Sequence, residues 1–266
     1  MNVQEAFEAF LTPPKLPELS RETRILLQAT LSRVRLGPNG WARGGDAEVQ
    51  VYSWGETGPA VLFVHGWGGN AGNHYAGIEA VVQAGGRAVA FDAPGHGRSE
   101  GALSCAPAFA WAIEGVAAHV GELRGIVAHS LGGAATCIAM RRGVRAPRAV
   151  LLASACWVAP VLKQFTDRQG YSEELAADTQ EMAKEVFGPE ESSAADNARG
   201  LHGTRALVMH DPEDREMPYE HSAAIAAAWP GAELVEALKV GHFSILRSRG
   251  VVARVCGHVM SVDGGG

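Results

Sequence analysis

A short apolar run that ends at a serine and continues directly into small residues constrains this chain most. Residues 125–129 (GIVAH) are typical of a buried strand, and residues 131–140 (LGGAATCIAM) have the apolar spacing of a helix. Such a tight strand-to-helix turn forces the residue at its centre, Ser130, out of the backbone and requires small neighbours, here Ala128 and Gly132. The pattern predicts a nucleophile elbow that presents the Ser130 hydroxyl at the end of a sheet.

A second serine, Ser99, occupies the literal Gly-x-Ser-x-Gly pattern of residues 97–101. It follows the sequence Pro-Gly-His-Gly, which cannot form a strand, and no apolar helix begins directly after it. The motif indicates a nucleophile only between a strand and a helix. We therefore predict Ser130, not Ser99, as the nucleophile.

Apolar runs of strand length alternate with helical segments through most of the chain, which predicts an α/β fold with a mainly parallel sheet and helices on both faces. The predicted strands are a half-exposed edge strand at 48–54, buried strands at 60–65, 87–92, 125–129, 149–154 and 205–210, and a last strand at 232–237. The predicted helices are 73–84, 105–120, 131–142, 219–229 and 245–260.

Two segments depart from this alternation and define the predicted domains. Residues 157–204 are far longer than a crossover helix requires, so we predict a helical lid inserted between core segments 48–156 and 205–266. The lid carries nine acidic and four basic residues. This charge indicates either a solvated face or an acidic rim that disfavours anionic substrates. Residues 1–47 are predicted to form an N-terminal helical arm, with a helix from Ser20 through Leu36, which either packs on the core or shapes the substrate mouth.

Composition restricts the function classes. A net charge of −6 gives no basic face for nucleic acid, and no apolar run approaches the roughly 18 residues that span a bilayer. The four cysteines are widely spaced and indicate neither a zinc site nor a redox pair. No signal peptide is evident, so we expect a cytoplasmic protein that acts on a small molecule, without a cofactor, metal or membrane partner. The sequence makes no prediction about the oligomeric state.

A serine hydroxyl needs a neighbouring base, and the base needs an orienting acid. His242 follows the last predicted strand, while Asp211 and Asp214 follow the strand at 205–210. Loops at the carboxyl ends of parallel strands converge on one site. The sequence therefore predicts that Ser130, His242 and one of the two aspartates meet there.

Over residues 48–260 the chain resembles the α/β-hydrolase superfamily of the Ser-Asp-His type. The resemblance lies in an oxyanion loop at 65–69, an Asp-x-Pro-Gly-x-Gly-x-Ser turn at 92–99, the elbow at 128–133, and acid and histidine loops at 211–218 and 241–242. Together these motifs, in this order, are highly specific, although each one alone is weak. The resemblance implies an α/β-hydrolase sheet and the catalytic residues of that family, but not the substrate.

The resemblance also implies roles for particular residues. Asp214 falls on the position of the family's acid, whereas Asp211 occupies a position where the family has glycine. The backbone N–H groups of Trp67 and Leu131 are expected to form the oxyanion hole. Trp157 and Phe165, at the start of the predicted lid, are candidate substrate-binding residues, with simple packing within the lid as the alternative.

These inferences favour a serine hydrolase that cleaves a carboxylic ester of a neutral small-to-medium acyl substrate through an acyl-enzyme on Ser130. One alternative is an amide or peptide bond hydrolase similar to proline-type aminopeptidases, in which a lid carboxylate such as Glu173, Glu174, Asp178 or Glu181 would hold the substrate amine. Another is a ligand-binding protein of the same fold with little turnover.

Overall fold

The computed structural model describes residues 1–38 and 47–261, which form an eight-stranded sheet with helices on both faces. The strand order is β1-β2-β4-β3-β5-β6-β7-β8. Strands β3 to β8 run parallel, whereas β2 is antiparallel to both β1 and β4. The predicted mainly parallel fold is therefore confirmed. The strands are β1 Thr30–Leu36, β2 Ala47–Trp54, β3 Ala60–Val64, β4 Arg87–Phe91, β5 Leu123–His129, β6 Arg148–Leu152, β7 Arg205–His210 and β8 Glu233–Glu236.

Helices follow most strands, as the alternating pattern predicts. They are α1 Val3–Leu11, α2 Ser20–Leu27, α3 Tyr75–Gln83, α4 Ala106–Val120, α5 Leu131–Arg141, α6 Val158–Gln169, α7 Glu173–Glu191, α8 Ala194–Ala198, α9 Tyr219–Ala228, α10 Gly241–Ser244 and α11 Arg249–Met260. A short 3₁₀ helix, Ala71–His74, precedes α3. In the described residues no helix combines the length and apolar character needed to cross a membrane.

The two faces of the sheet bury separate apolar clusters. On one face α4, α5 and α9 cover the strands, with Phe109 and Trp229 among the buried side chains. On the other face α3 and α11 do so, through residues such as Ile78 and Val255. Strands β3 and β6, buried at every residue, lie between these layers. This double coverage explains why their sequences are continuous apolar runs and do not alternate.

The N-terminal region differs from the helix expected there. The predicted helix through Leu36 ends at Leu27, and β1 follows and pairs with β2, so β2 is not an edge strand. Val34 and Leu36 point into the core, and Leu36 approaches α4 where Gly115 has no side chain. This contact with α4 stabilises the extended conformation. Residues 39–46 of the predicted arm lie outside the described residues.

Helices α6, α7 and α8 occupy the interval between β6 and β7 in which a lid is predicted. A third apolar cluster joins α6 and α7 to α1, because Phe7 and Leu11 pack with Leu162 and Phe187. The rings of Phe7 and Phe187 meet edge to face with centroids 5.8 Å apart. The first helix of the chain is thus packed against the inserted helices.

Candidate active site

Ser130 lies between β5 and α5 in a strained turn. Its φ of 52° and ψ of −120° fall in a region that few non-glycine residues adopt. The backbone N–H of Ser130 donates to the Leu152 carbonyl at 2.9 Å, which ties the turn to β6. A β-carbon on Gly132 would lie 2.5 Å from the His65 carbonyl oxygen, and one on Gly133 would overlap the Ser154 hydroxyl. The small residues predicted around the elbow are therefore required by close packing.

Ser99 lies in a different environment. Its hydroxyl donates to the Asp92 carbonyl at 2.5 Å and accepts the Gln50 N–H at 2.8 Å. The Asp92 carboxylate in turn accepts the N–H groups of Ala71 and Arg98. The Ser99 hydroxyl therefore joins the 92–99 turn to strand β2.

Three predicted side chains are brought together at the carboxyl ends of the strands. His242 Nδ1–H donates to Asp214 Oδ2 at 2.8 Å, and His242 Nε2 accepts the Ser130 hydroxyl at 3.1 Å. Ser130 is 7% exposed and His242 is 9% exposed, so the hydrogen bonds are largely shielded from water. This geometry lets the imidazole take the hydroxyl proton as the oxygen attacks a substrate.

The Asp214 carboxylate is surrounded by donors. Its side chain is fully buried, with Oδ2 3.2 Å from His210 Nε2 in addition to its bond to His242. Oδ1 accepts the N–H groups of Glu216 and Met217. Burial alone would raise the pKa of Asp214, but these hydrogen bonds outweigh it and hold the pKa well below its usual range. The group is therefore a carboxylate throughout the physiological pH range.

Asp211, the other candidate acid, has a different set of partners. It is 2% exposed, and its Oδ2 accepts the Gly241 N–H at 2.6 Å while Oδ1 accepts the Glu213 N–H at 3.1 Å. Burial favours a higher pKa for Asp211, but bonds from backbone N–H groups, Gly241 first among them, lower it overall. Asp211 therefore fastens the loop that carries His242 to the loop that carries Asp214.

Two buried histidines hold the predicted oxyanion loop. His65 Nε2 accepts the Ala93 N–H at 3.0 Å, and His96 Nε2 accepts the Gly68 N–H at 3.1 Å. A β-carbon on Gly66 would lie 3.0 Å from Ser130 Cβ, so the loop passes directly beside the nucleophile candidate. Trp67, one of the two predicted oxyanion donors, follows Gly66 immediately and is half-buried.

The second predicted oxyanion donor, Leu131, is the first residue of α5, and both donors line the cavity at Ser130. The first backbone N–H groups of a helix have no partner within the helix, so the Leu131 N–H can donate to a group outside α5, such as a substrate oxygen.

Burial keeps these imidazoles neutral. It lowers the pKa of His74 to about 4 and that of His96 to about 4, and it lowers the pKa values of His65 and His129 further. Each uses a ring nitrogen as a specific donor or acceptor to the backbone: His74 donates to the Val64 carbonyl and His129 to the His242 carbonyl. Protonation would turn an accepting ring nitrogen into a donor and would place a charge in a buried site. Acidic pH should therefore destabilise the loops around Ser130.

We expect the protein to lose stability between pH 8 and pH 5. At these four buried histidines the unfolded chain binds protons below about pH 6.5 and the folded chain does not, so stability falls as pH falls through this window. His74 and His96 should contribute roughly 2 kcal/mol each by pH 5. Urea unfolding at the two pH values measures the effect. His74→Gln, which retains a donor, should reduce the loss, whereas His119→Gln at an exposed site should not. Equal losses in all three proteins would contradict this account.

A cavity of about 940 Å³ opens in front of Ser130 and is lined mainly by apolar side chains. Trp157 and Phe165, the predicted substrate-binding residues, both line it. The ring of Trp157 packs edge to face on His221 at 5.0 Å, and that of Phe165 packs on Phe10 at 5.5 Å. Both residues therefore contribute to the cavity wall and to packing.

Charged residues at the cavity wall have partners. Glu216 accepts from Arg168 at 3.1 Å, and Glu191 forms an ion pair with Arg142. Glu22 accepts the Asn73 amide at 2.9 Å. Arg247, also in the wall, donates to the Ser244 hydroxyl at 3.1 Å. The wall is thus mainly apolar, with Glu216 and Glu191 paired with arginines and with Glu22 and Arg247 bonded to neutral groups. Within residues 1–38 and 47–261 there is no cluster of three His, Cys, Asp or Glu side chains able to hold a metal.

Sequence reasoning missed part of the cavity wall. Residues from the N-terminal arm line it, including Phe10, Pro14 and Leu16, as do Met217 and Phe243 near the acid and the histidine. Neither periodicity nor a motif distinguishes these side chains from ordinary packing residues. The arm's prolines at positions 13, 14 and 17 are its one distinctive feature, and they fit packing on the core as well as a role at the substrate mouth.

Comparison with known proteins agrees with this architecture. Residues 61–255 match the alpha/beta hydrolase family, and the chain belongs to that family, which confirms the resemblance seen in the sequence. No curated protein sequence matched the chain.

Several solved structures share the fold at low sequence identity. An esterase from Exiguobacterium antarcticum has a TM-score of 0.64 at 16% identity, covering 81% of this chain and 96% of its own. A thermophilic esterase from Thermogutta terrifontis, with malate bound, has a TM-score of 0.62 at 19% identity, covering 84% of this chain and 96% of its own. Est1E from Butyrivibrio proteoclasticus, bound to ferulic acid, has a TM-score of 0.63 at 17% identity, covering 85% of this chain and 99% of its own. At these identities the similarity concerns the fold.

Proposed function

We propose that the protein is a serine hydrolase that cleaves carboxylic esters of neutral, apolar acyl substrates through an acyl-enzyme on Ser130. One observation carries this proposal: the hydrogen-bonded chain from Ser130 Oγ through His242 to Asp214, which ends in an apolar cavity. A histidine poised between a hydroxyl and a buried carboxylate is the arrangement that acyl transfer requires.

The first half of the reaction forms the acyl-enzyme. His242 Nε2 takes the Ser130 proton as Oγ attacks the ester carbonyl, and Asp214 stabilises the resulting imidazolium. The N–H groups of Trp67 and Leu131 stabilise the oxyanion. The imidazolium then protonates the departing alcohol, and the bond to the alcohol oxygen breaks.

The second half releases the acid. Water enters, His242 removes its proton, and the resulting hydroxide attacks the acyl carbonyl. The bond between the acyl carbon and Ser130 Oγ then breaks as the imidazolium returns the proton to Oγ, which releases the acid and restores the starting state. The inserted helices α6 to α8 act as the lid that borders the acyl site in this proposal. The segment that precedes β1, with α1 and α2, acts as the arm, whereas β1 belongs to the core sheet.

The mainly apolar wall of the cavity supports a neutral substrate. Glu216 and Glu191 are paired with arginines, and both oxygens of Glu22 already accept from the Asn73 amide and the Leu19 N–H, which disfavours an ammonium group there. The four carboxylates considered for an aminopeptidase, Glu173, Glu174, Asp178 and Glu181, are absent from the described cavity wall. The amide hydrolase alternative therefore has less support.

Two substrate panels test the proposal. p-Nitrophenyl esters from acetate to dodecanoate should be hydrolysed, and aminoacyl-naphthylamides should be turned over at least about 100-fold more slowly, because a mainly apolar wall whose acids already have partners disfavours their ammonium group. Faster turnover of the amides would favour the peptidase alternative. Tight binding of both classes without turnover of either would favour the ligand-binding alternative.

A further inference from the structure

The N-terminal arm reaches the active site and is fixed at both ends. At its first end, Phe10 of α1 packs on Phe165 of α6, and the Leu11 carbonyl accepts the Ser104 N–H at 2.7 Å. At its second end, Glu22 of α2 accepts the Asn73 amide at 2.9 Å and the Leu19 N–H at 2.8 Å. Asn73 lies in the 3₁₀ helix that follows the oxyanion loop. Residues 12–19, which we call the strap, join these two anchors.

The strap lies directly on the oxyanion loop. A β-carbon on Gly68 would be 2.9 Å from Pro14 Cγ and 3.3 Å from Leu16 Cδ1. Gly68 has a φ of 70°, which a glycine adopts without strain. A β-carbon on Gly95, in the neighbouring turn, would be 3.3 Å from Pro13 Cγ. The oxyanion loop and its supporting turn therefore have glycine, without a side chain, at the two positions that the strap's prolines approach.

The strap has the rigidity of a fixed wall. Proline occupies positions 13, 14 and 17, and each ring fixes its own φ and restricts the residue before it. A segment with few accessible conformations and two anchors loses little entropy when a ligand packs on it. The strap therefore suits a permanent wall and not an opening gate.

The cavity that the strap closes is large for a simple acetyl ester. At about 940 Å³ it lies near the upper end of the roughly 300–1,000 Å³ found for sites that enclose drug-sized molecules. Leu16 and Leu19 of the strap line it, and they are 54% and 48% exposed. Surface-exposed leucines beside a reacting centre gain burial when an apolar group fills the cavity.

We propose that the strap is a specificity-determining wall of the substrate site, and that Leu16 sets the size of the apolar group that the site accepts. This inference rests on the proposed ester hydrolysis. The substrate class is a neutral ester that carries a bulky apolar group in contact with Leu16 and Pro14. The strap contributes no group to bond making or breaking and acts only through the shape of the cavity.

Leu16 has a matched control in the same arm. Leu27, at the end of α2, is 77% exposed and is not among the described cavity residues. We expect Leu16→Ala to move the optimum of kcat/KM to a bulkier ester, and Leu16→Trp to move it to a smaller one. The ratio of kcat/KM between the bulkiest and smallest esters should change by about tenfold in each direction. Leu27→Ala should reproduce the parent profile.

Two readouts separate this inference from the proposed function. The first is turnover of p-nitrophenyl esters of increasing acyl length and of acetates of increasing alcohol size. The second is the Kd of the same esters for the full chain in a Ser130→Ala background, followed by tryptophan fluorescence, with Trp67 and Trp157 in the cavity wall as reporters. A shift with the Leu16 variants in either ester series, absent with Leu27→Ala, supports the strap.

The contrary outcomes are distinct. If the Leu16 variants and Leu27→Ala share the parent profile in both readouts, the inference about the strap is overturned, whatever the enzyme hydrolyses. If the parent turns over no ester, but the Leu16 substitutions shift the Kd values measured in the Ser130→Ala background, the inference about the strap is supported and the proposed hydrolysis is wrong. If no ester binds to any of the proteins, both fail.

Discussion

Ser130→Ala is expected to abolish covalent labelling by a fluorophosphonate and to lower kcat for p-nitrophenyl esters by about 10⁶-fold. The reason is that Ser130 Oγ is the atom that attacks the ester and forms the acyl-enzyme in the proposed mechanism. His242 would then hold no nucleophile at 3.1 Å, and attack would depend on water bound by the oxyanion donors alone. Active-site titration and steady-state kinetics measure the two effects separately.

Ser99→Ala is the matched control for this result. It removes a serine hydroxyl from the other Gly-x-Ser-x-Gly pattern and breaks the bonds to the Asp92 carbonyl and the Gln50 N–H. We expect stability to fall by about 1–3 kcal/mol while labelling is retained in the folded fraction. If Ser99→Ala lost labelling while folded, and Ser130→Ala retained it, the assignment of the nucleophile would be reversed.

The central sheet was predictable because its determinants are local. Strands β3 and β6 are buried on both faces, and this burial appears in the sequence as unbroken apolar runs. The elbow was predictable for a similar reason, since the close packing at Gly132 and Gly133 excludes larger residues. In both cases the physical constraint acts on a few adjacent positions.

The N-terminal region could not be predicted in the same way. Leu27, Leu31 and Val34 have helical spacing, while Val34 and Leu36 alternate with arginines as in a strand. The choice is made by the packing of Leu36 beside Gly115, which is far away in the sequence. The strap depends equally on a distant contact, that of Pro14 with Gly68. Contacts of this kind leave no periodic signal.

The acid is the remaining question, and Asp214→Asn is expected to lower kcat by about 10⁴-fold with the protein folded. Asp214 Oδ2 faces two donors, His242 Nδ1–H and His210 Nε2–H. An amide NH₂ at that position would oppose both, so the His242 proton would move to Nε2. His242 would then donate to Ser130 and could no longer accept its proton. If the amide were flipped so that its oxygen faced the two histidines, its NH₂ would face the N–H groups of Glu216 and Met217. These two N–H groups would then lose the acceptor that Asp214 Oδ1 provides.

Asp211→Asn should lower stability more than Asp214→Asn does and lower kcat much less. The amide oxygen can replace one of the two carboxylate acceptors, so either the Gly241 or the Glu213 N–H loses its partner. We expect a stability loss of about 1–3 kcal/mol and a fall in kcat of roughly tenfold, because the loop that carries His242 is held less firmly. Thermal unfolding and kcat should be measured on both variants. A large fall in kcat indicates a residue that orients His242, whereas a loss of stability with a small fall in kcat indicates one that supports its loop. A fall in kcat for Asp211→Asn equal to that for Asp214→Asn, in folded protein, would assign the acid to Asp211 instead.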